Sequence, residues 1–422
     1  MHANPLAQAF YGWTVVAAAF TVSVFGWDVG FYGPPVYLKA VQDARGWPVS
    51  LVSGAVTLHF LAGVPVVANL PRLHRRFGLP AVTVAGAAAL AFGVLGWALA
   101  REPWHLLVAT IVSGASWVTL GAVAINAIVS PWFVRRRPAA LASAYNGASI
   151  GGVVFSPLWV ALIGWGGFPL AAAIVGAVMV AAVAVLATTI LSQTPSAMGL
   201  EPDGGPAATA QTTSRSAAIR ADAPGRVANP WADRAAQTLA LGMALGLFAQ
   251  IGLIAHLFSL LVPAMGAQGA GLAAGLATAA AIAGRTLVGW SMPAGADRRL
   301  VAAANYAVQM LGCGAFLLAD GASVPLLLFG VVLVGLGIGN ATSMPPLIVQ
   351  AEFSKDDVPR IVALVTAVSQ GTYAFAPAIF GLIREAAGAG GAATPALFFF
   401  AAAIQMAAAL IYLAGRKAWR GR

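Results

Sequence analysis

GAGLAAGLATAAAIAGRTLVGWSM, residues 269–292, is an apolar run broken only by Arg285, and it exceeds the roughly 20 residues that an α-helix needs to cross a bilayer core. A permanently charged guanidinium at membrane depth costs at least about 2.5 kcal/mol, so by default it faces a water-filled cavity and marks the path of a substrate or ion. This one segment therefore implies a membrane carrier. The sign of its charge implies an anionic cargo.

The rest of the chain agrees with that segment. With 60% hydrophobic and 9% charged residues over 422 positions, there is too little polar surface to clothe a soluble globule. Long apolar segments joined by short polar loops predict an all-α membrane protein, not a barrel with strands that alternate over about 10 positions. The net charge of +10 is spread over short loops and forms no groove-sized patch with interleaved aromatics, so no nucleic-acid partner is expected. Cys313 is the single cysteine, which excludes an internal disulfide. No basic stretch precedes the first apolar run, so Tyr11 to Tyr37 is expected to remain as the first transmembrane helix.

Scanning outward from residues 269–292 gives twelve spans: 12–37, 48–70, 79–100, 104–130, 138–164, 168–191, 237–263, 269–292, 299–319, 323–347, 358–384 and 393–415. Lys and Arg are retained on the cytoplasmic side, and most of the 23 fall in alternate connections, around Arg72, Arg75, Arg76, Arg135 to Arg137, Arg298, Arg299, Lys355, Arg360, and Arg416 to Arg422. The opposite connections hold Lys39, Arg45, Arg101 and Arg384. Both termini are thus expected in the cytoplasm. The stretch 192–236, with Arg215, Arg220, Arg226 and Arg234, is rich in Ala, Pro, Gly, Ser and Thr and reads as a cytoplasmic linker. It divides an N-terminal six-helix bundle, 1–191, from a C-terminal one, 237–422.

The two bundles repeat one another. Ser149-x-Gly151-x-x-x-Phe155-x-Pro157 in span five matches Ser369-x-Gly371-x-x-x-Phe375-x-Pro377 in span eleven, and Pro71 with Arg76 has the spacing of Pro293 with Arg298. In the second register Arg285 corresponds to Gly63, so the charge belongs to one half only. Parallel repeats of this kind place a binding site near mid-membrane where the halves meet, with access alternating as they rock.

Two pseudo-symmetric six-helix bundles, a central linker, and charged loops after spans two and eight resemble the major facilitator superfamily over nearly the whole chain. Its loop motif Gly-x-x-x-Asp-Arg/Lys-x-Gly-Arg/Lys is matched in part by Arg76, Phe77 and Gly78, with Arg75 standing where Asp is usual, and by Gly289, Asp297 and Arg298. The resemblance implies an inner gate at Arg76, Asp297 and Arg298. Tyr11-Gly12-Trp13, Trp132-Phe133 with Arg135 to Arg137, and Gly284-Arg285 are similar to bacterial relatives of monocarboxylate transporters and of oxalate–formate antiporters. That likeness implies that Arg285 binds a carboxylate. The proton-coupling residues of animal monocarboxylate transporters are replaced here by Gln8, Phe31 and Ala281, and the second cation of oxalate exchangers is absent from span eleven. A single guanidinium pairs bidentately with one carboxylate, which favours a monoanion.

Arg285 could instead pair with a helix end or with Asp297. Asp28, the one acid well inside a span, either takes up a proton or faces an outer vestibule. His59 and His256 are proton-carrier candidates whose alternative is packing. Phe31, Tyr32, Trp117, Tyr145, Asn146, Asn340, Gln370 and Tyr373 lie on spans that line the cavity in the superfamily, and about half are expected to touch cargo, as in an apolar wall with a few oriented polar groups. Trp13, Trp47, Trp104 and Trp132 sit at span ends as interfacial anchors. Gly335-x-Gly337-x-Gly339 and Gly147 to Gly152 are expected to serve close helix packing, with no phosphate loop, and Pro157, Pro345, Pro346 and Pro377 to loosen gating helices.

Neither a nucleophile with its base nor a carboxylate–metal constellation is visible within the spans, so an enzyme, a cofactor and a metal are not expected. The expected function is a secondary active transporter of a small monocarboxylate of the lactate, pyruvate or 2-oxo-acid type, coupled to protons. Its partners would be that organic anion, protons and membrane lipids; the family's expectation is a monomer, and the Ala-rich composition without long loops suits a bacterial inner membrane. The alternatives are an anion exchanger of the oxalate–formate type and an exporter of an apolar or cationic compound.

Overall fold

The structure is a computed structural model that describes residues 10–204, 229, 231–293, 295–354, 357–387 and 395–416. Gln8, Arg215, Arg220, Arg226, Lys355, Lys417, Arg420 and Arg422 lie outside the described residues.

The described residues fold into helices: α1 Gly12–Trp27, a π-helical turn Asp28–Tyr32, α2 Gly33–Arg45, α3 Val49–Phe77, α4 Leu79–Leu99, α5 Pro103–Trp117, α6 Ala122–Val129, α7 Arg137–Leu186, α8 Arg234–Ser291, α9 Arg298–Ala319, α10 Val324–Glu352, α11 Val358–Tyr373, α12 Ala376–Ala386 and α13 Pro395–Ala414. Ten stretches among them are long and apolar enough to cross a membrane. The chain is an integral membrane protein.

Two of those stretches are far longer than one crossing requires. α7 spans 50 residues and α8 spans 58, whereas about 20 suffice at 1.5 Å per residue. Each breaks at a glycine with a positive φ, Gly167 at 78° and Gly266 at 70°, a conformation that side chains with a Cβ resist. The breaks fall in the gaps between expected spans five and six and between seven and eight.

Other breaks depart from expectation. α7 continues past Pro157 and α10 past Pro345 and Pro346, while the chain does break between α11 and α12, just before Pro377. Asp28–Tyr32 and residues 118–121 also interrupt helices, without a proline inside either.

The chain forms two compact units, one of Met1–Tyr37, Leu58–Phe155 and Ala161–Ile219, the other of Leu38–Thr57, Ser156–Val160 and Arg220–Arg422. In the first, α3 and α5 cross closely: a Cβ on Gly114 would lie 1.9 Å from the His59 carbonyl oxygen. In the second, α8 and α10 cross in the same way, since a Cβ on Gly339 would lie 2.3 Å from the Ala281 oxygen. His59 and Ala281 hold the same place in the register that pairs Gly63 with Arg285. The internal repeat thus reappears as one helix crossing built twice. In the second unit the first turns of α3 also run along α12, where the Ser50 N–H donates to the Glu385 carboxylate at 2.9 Å and the Ala378 N–H to the Thr57 hydroxyl at 3.1 Å. These bonds satisfy two of the N–H groups that a helix start leaves over.

Candidate functional site

The expected site residues separate into two sets, one in each unit. In the first unit, Asp28, Phe31 and Tyr32 all lie on the π-helical turn that interrupts the first span. Such turns are frequent at functional sites, because they leave backbone carbonyls outside the regular ladder. The Gly30 carbonyl is taken by His59 Nε2 at 2.9 Å, and His59 Nδ1 meets the Ser113 hydroxyl at 2.8 Å. A carbonyl only accepts, so Nε2 carries the proton. Ser113 Oγ also accepts from the Trp97 indole at 3.1 Å, so a neutral His59 is fully satisfied where it stands. Asp28 is wholly buried.

Rings converge on this turn from four helices. Phe31 lies 5.1 Å from Tyr32, 5.9 Å from Phe60 and 6.3 Å from Trp117; Trp27 lies 6.3 Å from Trp117 and 6.1 Å from Tyr145. His59 stacks on Trp117 at 6.3 Å with the rings 18° apart. The Tyr145 hydroxyl donates to the Ala122 carbonyl at 2.9 Å. Asn146, one residue on, is exposed.

In the second unit, Arg285 is half-buried on α8, and its Nε donates to the Gly339 carbonyl of α10 at 3.3 Å. A guanidinium has five donors, and no carboxylate pairs with this one among the described residues. Asn340, next to that carbonyl in sequence, is buried and donates to the Leu336 carbonyl at 3.3 Å. Gln370 is half-buried on α11, and Tyr373 packs on the cluster around Met344, Ile348 and Val365. His256 is buried with Nε2 on the Pro377 carbonyl at 3.1 Å, while its Nδ1 has no partner among the described residues. A metal site is not formed by any group of three or more His, Cys, Asp or Glu among the described residues.

The charges of the expected inner gate have other partners within their own units. Arg76 is exposed and lies over the Phe77 ring at 5.1 Å. Asp297 caps α9 by accepting from the Arg299 and Leu300 N–H groups at 3.0 and 3.1 Å, and it pairs with Arg416 at 2.6 Å. Burial works to raise the Asp297 pKa, but the Leu300 N–H, Arg416 and the Arg299 N–H outweigh it and hold the carboxyl below its ordinary range. Arg298 donates to the Leu347 carbonyl. The open pairing of Arg285 with Asp297 is therefore not the contact formed.

Two motifs distant in sequence meet at one end of the first unit. Trp13 lies 5.1 Å from Phe133, and Tyr11 5.4 Å from Trp132. Trp132 is 3% exposed, so it is a packing residue and not the headgroup anchor expected. Beside it the Asp203 carboxylate accepts from the Val134, Arg135 and Arg136 N–H groups at 3.1, 2.7 and 3.1 Å.

No protein-family model matches the chain. The MFS transporter asaE of Aspergillus flavus is 26% identical over 200 residues, 46% of this chain and 44% of that protein. The Fujikurins efflux protein of Gibberella fujikuroi is 25% identical over 163 residues, 38% of this chain and 34% of that protein. The aligned part thus spans less than half the length of either curated relative. Among solved structures, the nucleoside transporter NupG superposes with a TM-score of 0.73 at 12% identity, over 96% of this chain and 100% of the other. The chain has the major facilitator fold. A bacterial homolog of the human lysosomal transporter Spinster, inward-facing and occupied, has the same major facilitator fold, with a TM-score of 0.68 and 16% identity over 98% and 97% of the chains. The two curated relatives are named as a transporter and as an efflux protein, in line with the expectation from sequence.

Three features escaped the sequence reading. Arg299, which the charge pattern places in a loop, is 1% exposed and forks onto Glu352 at 2.6 and 2.8 Å, with further bonds to Thr238 and the Ala235 carbonyl at 3.0 and 2.8 Å. Arg384, placed in an outer loop, donates to the Ser259 hydroxyl at 2.5 Å. Asp203 lay in a segment read only as linker. Glu352 closing an apolar span was the one available signal for the first of these.

Proposed function

We propose that this protein is a secondary active transporter that moves a small monocarboxylate by alternating access, with its two six-helix halves, 1–191 and 237–422, joined by the linker 192–236. The observation that carries this reading is Arg285: a half-buried guanidinium inside an apolar span, with one donor used on a backbone carbonyl and no carboxylate partner among the described residues. Such a charge is costly in a membrane unless an anion or water meets it. Asn340, Gln370 and Tyr373 are the further cargo-binding candidates in its unit, and Phe31, Tyr32, Trp117, Tyr145 and Asn146 those in the other. Asp28 is the proposed proton site, with His59 and His256 as the further candidates, and Arg76, Asp297 and Arg298 flank the inner gate. The termini face the cytoplasm of a bacterial-type inner membrane, and the carrier works as a monomer.

Export of an apolar compound is the second reading, favoured by the buried Asp28 and by the similarity to a protein named for efflux. Exchange of two anions is the variant in which no proton moves. Uptake of labelled lactate and pyruvate into proteoliposomes, with and without an inward proton gradient, separates the three. Gradient-driven uptake that is lost in Arg285→Gln, with unchanged melting, supports the proposal; uptake that survives the substitution overturns it.

A further inference from the structure

Within the first unit, α4 and α5 meet through small residues. A Cβ on Gly93 would lie 2.6 Å from the Ser113 backbone nitrogen, and one on Gly96 2.9 Å from the Ala109 Cβ. Residues this short bring the two backbones together and leave a trough along the contact, because nothing longer than a methyl rises from its floor. Phe92 and Leu99 of α4 and Trp104 and Val108 of α5 stand along it as walls, each more than half exposed. The trough holds about 500 Å³, within the roughly 300–1,000 Å³ of ordinary ligand pockets. Its lining comes from α4, α5 and the connection between them, so it belongs to one unit alone. Both helices lie in stretches long and apolar enough to cross a membrane. Apolar walls left exposed on such helices are suited to hydrocarbon chains.

The end of the trough at the connection is chemically different. Arg101 lines it there and is exposed, and no carboxylate pairs with its guanidinium among the described residues. Glu102, the neighbouring acid, is engaged as the cap of α5, where its side chain accepts from the His105 N–H. His105 Nδ1 in turn accepts from the Arg101 and Glu102 N–H groups at 3.3 and 3.2 Å. An accepting nitrogen carries no proton, so Nε2 carries it and supplies a second donor beside Arg101. Trp104 adjoins them, a residue type that favours the depth of lipid headgroups. The trough is therefore apolar along its length and offers donors to an anion at one end. Free phosphate would leave the walls uncovered. A bare hydrocarbon would leave Arg101 and His105 Nε2 without an acceptor.

We propose that this trough is a phospholipid site, with one acyl chain laid along Gly93, Gly96 and Ala109 and the lipid phosphate accepting from Arg101 and His105 Nε2. Lipid tails are as apolar as the walls they would cover, so chain burial alone favours no one lipid over another. The charge-assisted bond from guanidinium to phosphate decides which lipid stays. The site is independent of what the carrier moves.

Phosphatidylglycerol with a diazirine on one acyl chain, added at one equivalent to the full chain in detergent and irradiated, tests this by peptide mass spectrometry. Cross-links are expected chiefly between Phe92 and Val112. Diacylglycerol with the same chains and diazirine, which lacks the phosphate, should label that stretch at least about 5-fold less. Arg101→Gln should bring the phosphatidylglycerol label down to the diacylglycerol level, whereas Arg45→Gln, the loss of another exposed cation, should leave it unchanged. Val108→Trp, which fills the trough from an exposed wall, should lower the labelling by both lipids. Arg101 and Val108 are exposed, so both variants are expected to melt as the parent does, and the comparison of the two lipids needs no variant. Equal labelling of residues 92–112 by the two lipids overturns the proposal, as does phosphatidylglycerol label spread evenly over the apolar spans or left unchanged by Arg101→Gln. Dimers in detergent that Val108→Trp splits, with no lipid label in the stretch, would give the trough to a second copy of the chain and overturn the proposal too.

Discussion

The cargo role proposed for Arg285 rests on its guanidinium being incompletely used: one nitrogen is fixed on the Gly339 carbonyl, which orients the planar fork while leaving other donors for a carboxylate. Lysine in that place would keep the charge without the fork. Arg285→Lys is expected to raise the half-saturation concentration for uptake by about 10-fold or more, measured by initial rates in proteoliposomes. Arg299 is the opposite case, a guanidinium whose donors are consumed by Glu352, Thr238 and the Ala235 carbonyl. Removing one member of so buried a pair strands the other charge. Glu352→Gln should therefore cost about 3–5 kcal/mol, and replacing both residues with apolar ones of similar volume, as Arg299→Met with Glu352→Leu, should cost less. A double-substitution cycle in thermal melting checks this; an additive result would show that the pair is not a unit.

The two α-helical crossings that carry the repeat depend on glycine, at Gly114 in one and at Gly284, Gly335 and Gly339 in the other. A methyl group on Gly339 or Gly114 would press into a carbonyl oxygen 2.3 or 1.9 Å away, whereas one on Gly371 would meet nothing within 4 Å. Gly339→Ala and Gly114→Ala should each destabilise by about 1–3 kcal/mol, and Gly371→Ala should leave melting unchanged or raise it. The docked start of the linker behaves as an element too, held by Asp203. Burial works to raise the Asp203 pKa, but the Arg135, Arg136 and Val134 N–H groups and the Arg135 charge more than offset this and hold it below the ordinary carboxylate range. A depressed carboxylate pKa stabilises the docked form above the ordinary value, and that contribution is lost as pH falls through the lowered one. Protease cutting around residues 195–203 should thus stay slow at neutral and mildly acid pH and quicken only below the ordinary carboxylate range, while Asp203→Ala should be cut quickly throughout. The elements that sequence predicted well share one property. Residues 269–292 and the gaps at Gly167 and Gly266 are readable because span length and apolarity are properties of neighbouring residues. The π-helical turn at Asp28–Tyr32 was hidden because it is stabilised from outside, by His59 of α3, and the Arg299 pair was hidden because its partner lies on a different helix.

The whole molecule is two copies of one helical plan, and its asymmetries are where function is to be sought. One copy has Gly63 where the other has Arg285, so the same crossing carries an apolar ring cluster in one unit and a cation in the other. A carrier's direction depends on which side of the membrane each connection faces. Sidedness follows from charge: Lys and Arg gather in the connections near Arg75, Arg136, Glu201 and Gly295 and are sparse near Glu102 and Ala322, and cationic loops resist transfer across the membrane. The buried Cys313 is the chain's sole cysteine and should stay silent to an impermeant maleimide, so the parent chain supplies its own background. In intact cells Glu102→Cys and Ala322→Cys are expected to label, whereas Glu201→Cys and Gly295→Cys should label only after permeabilisation. The reverse pattern would invert the topology and turn the proposed uptake of a carboxylate into its export, with Asp28 meeting protons from the other side.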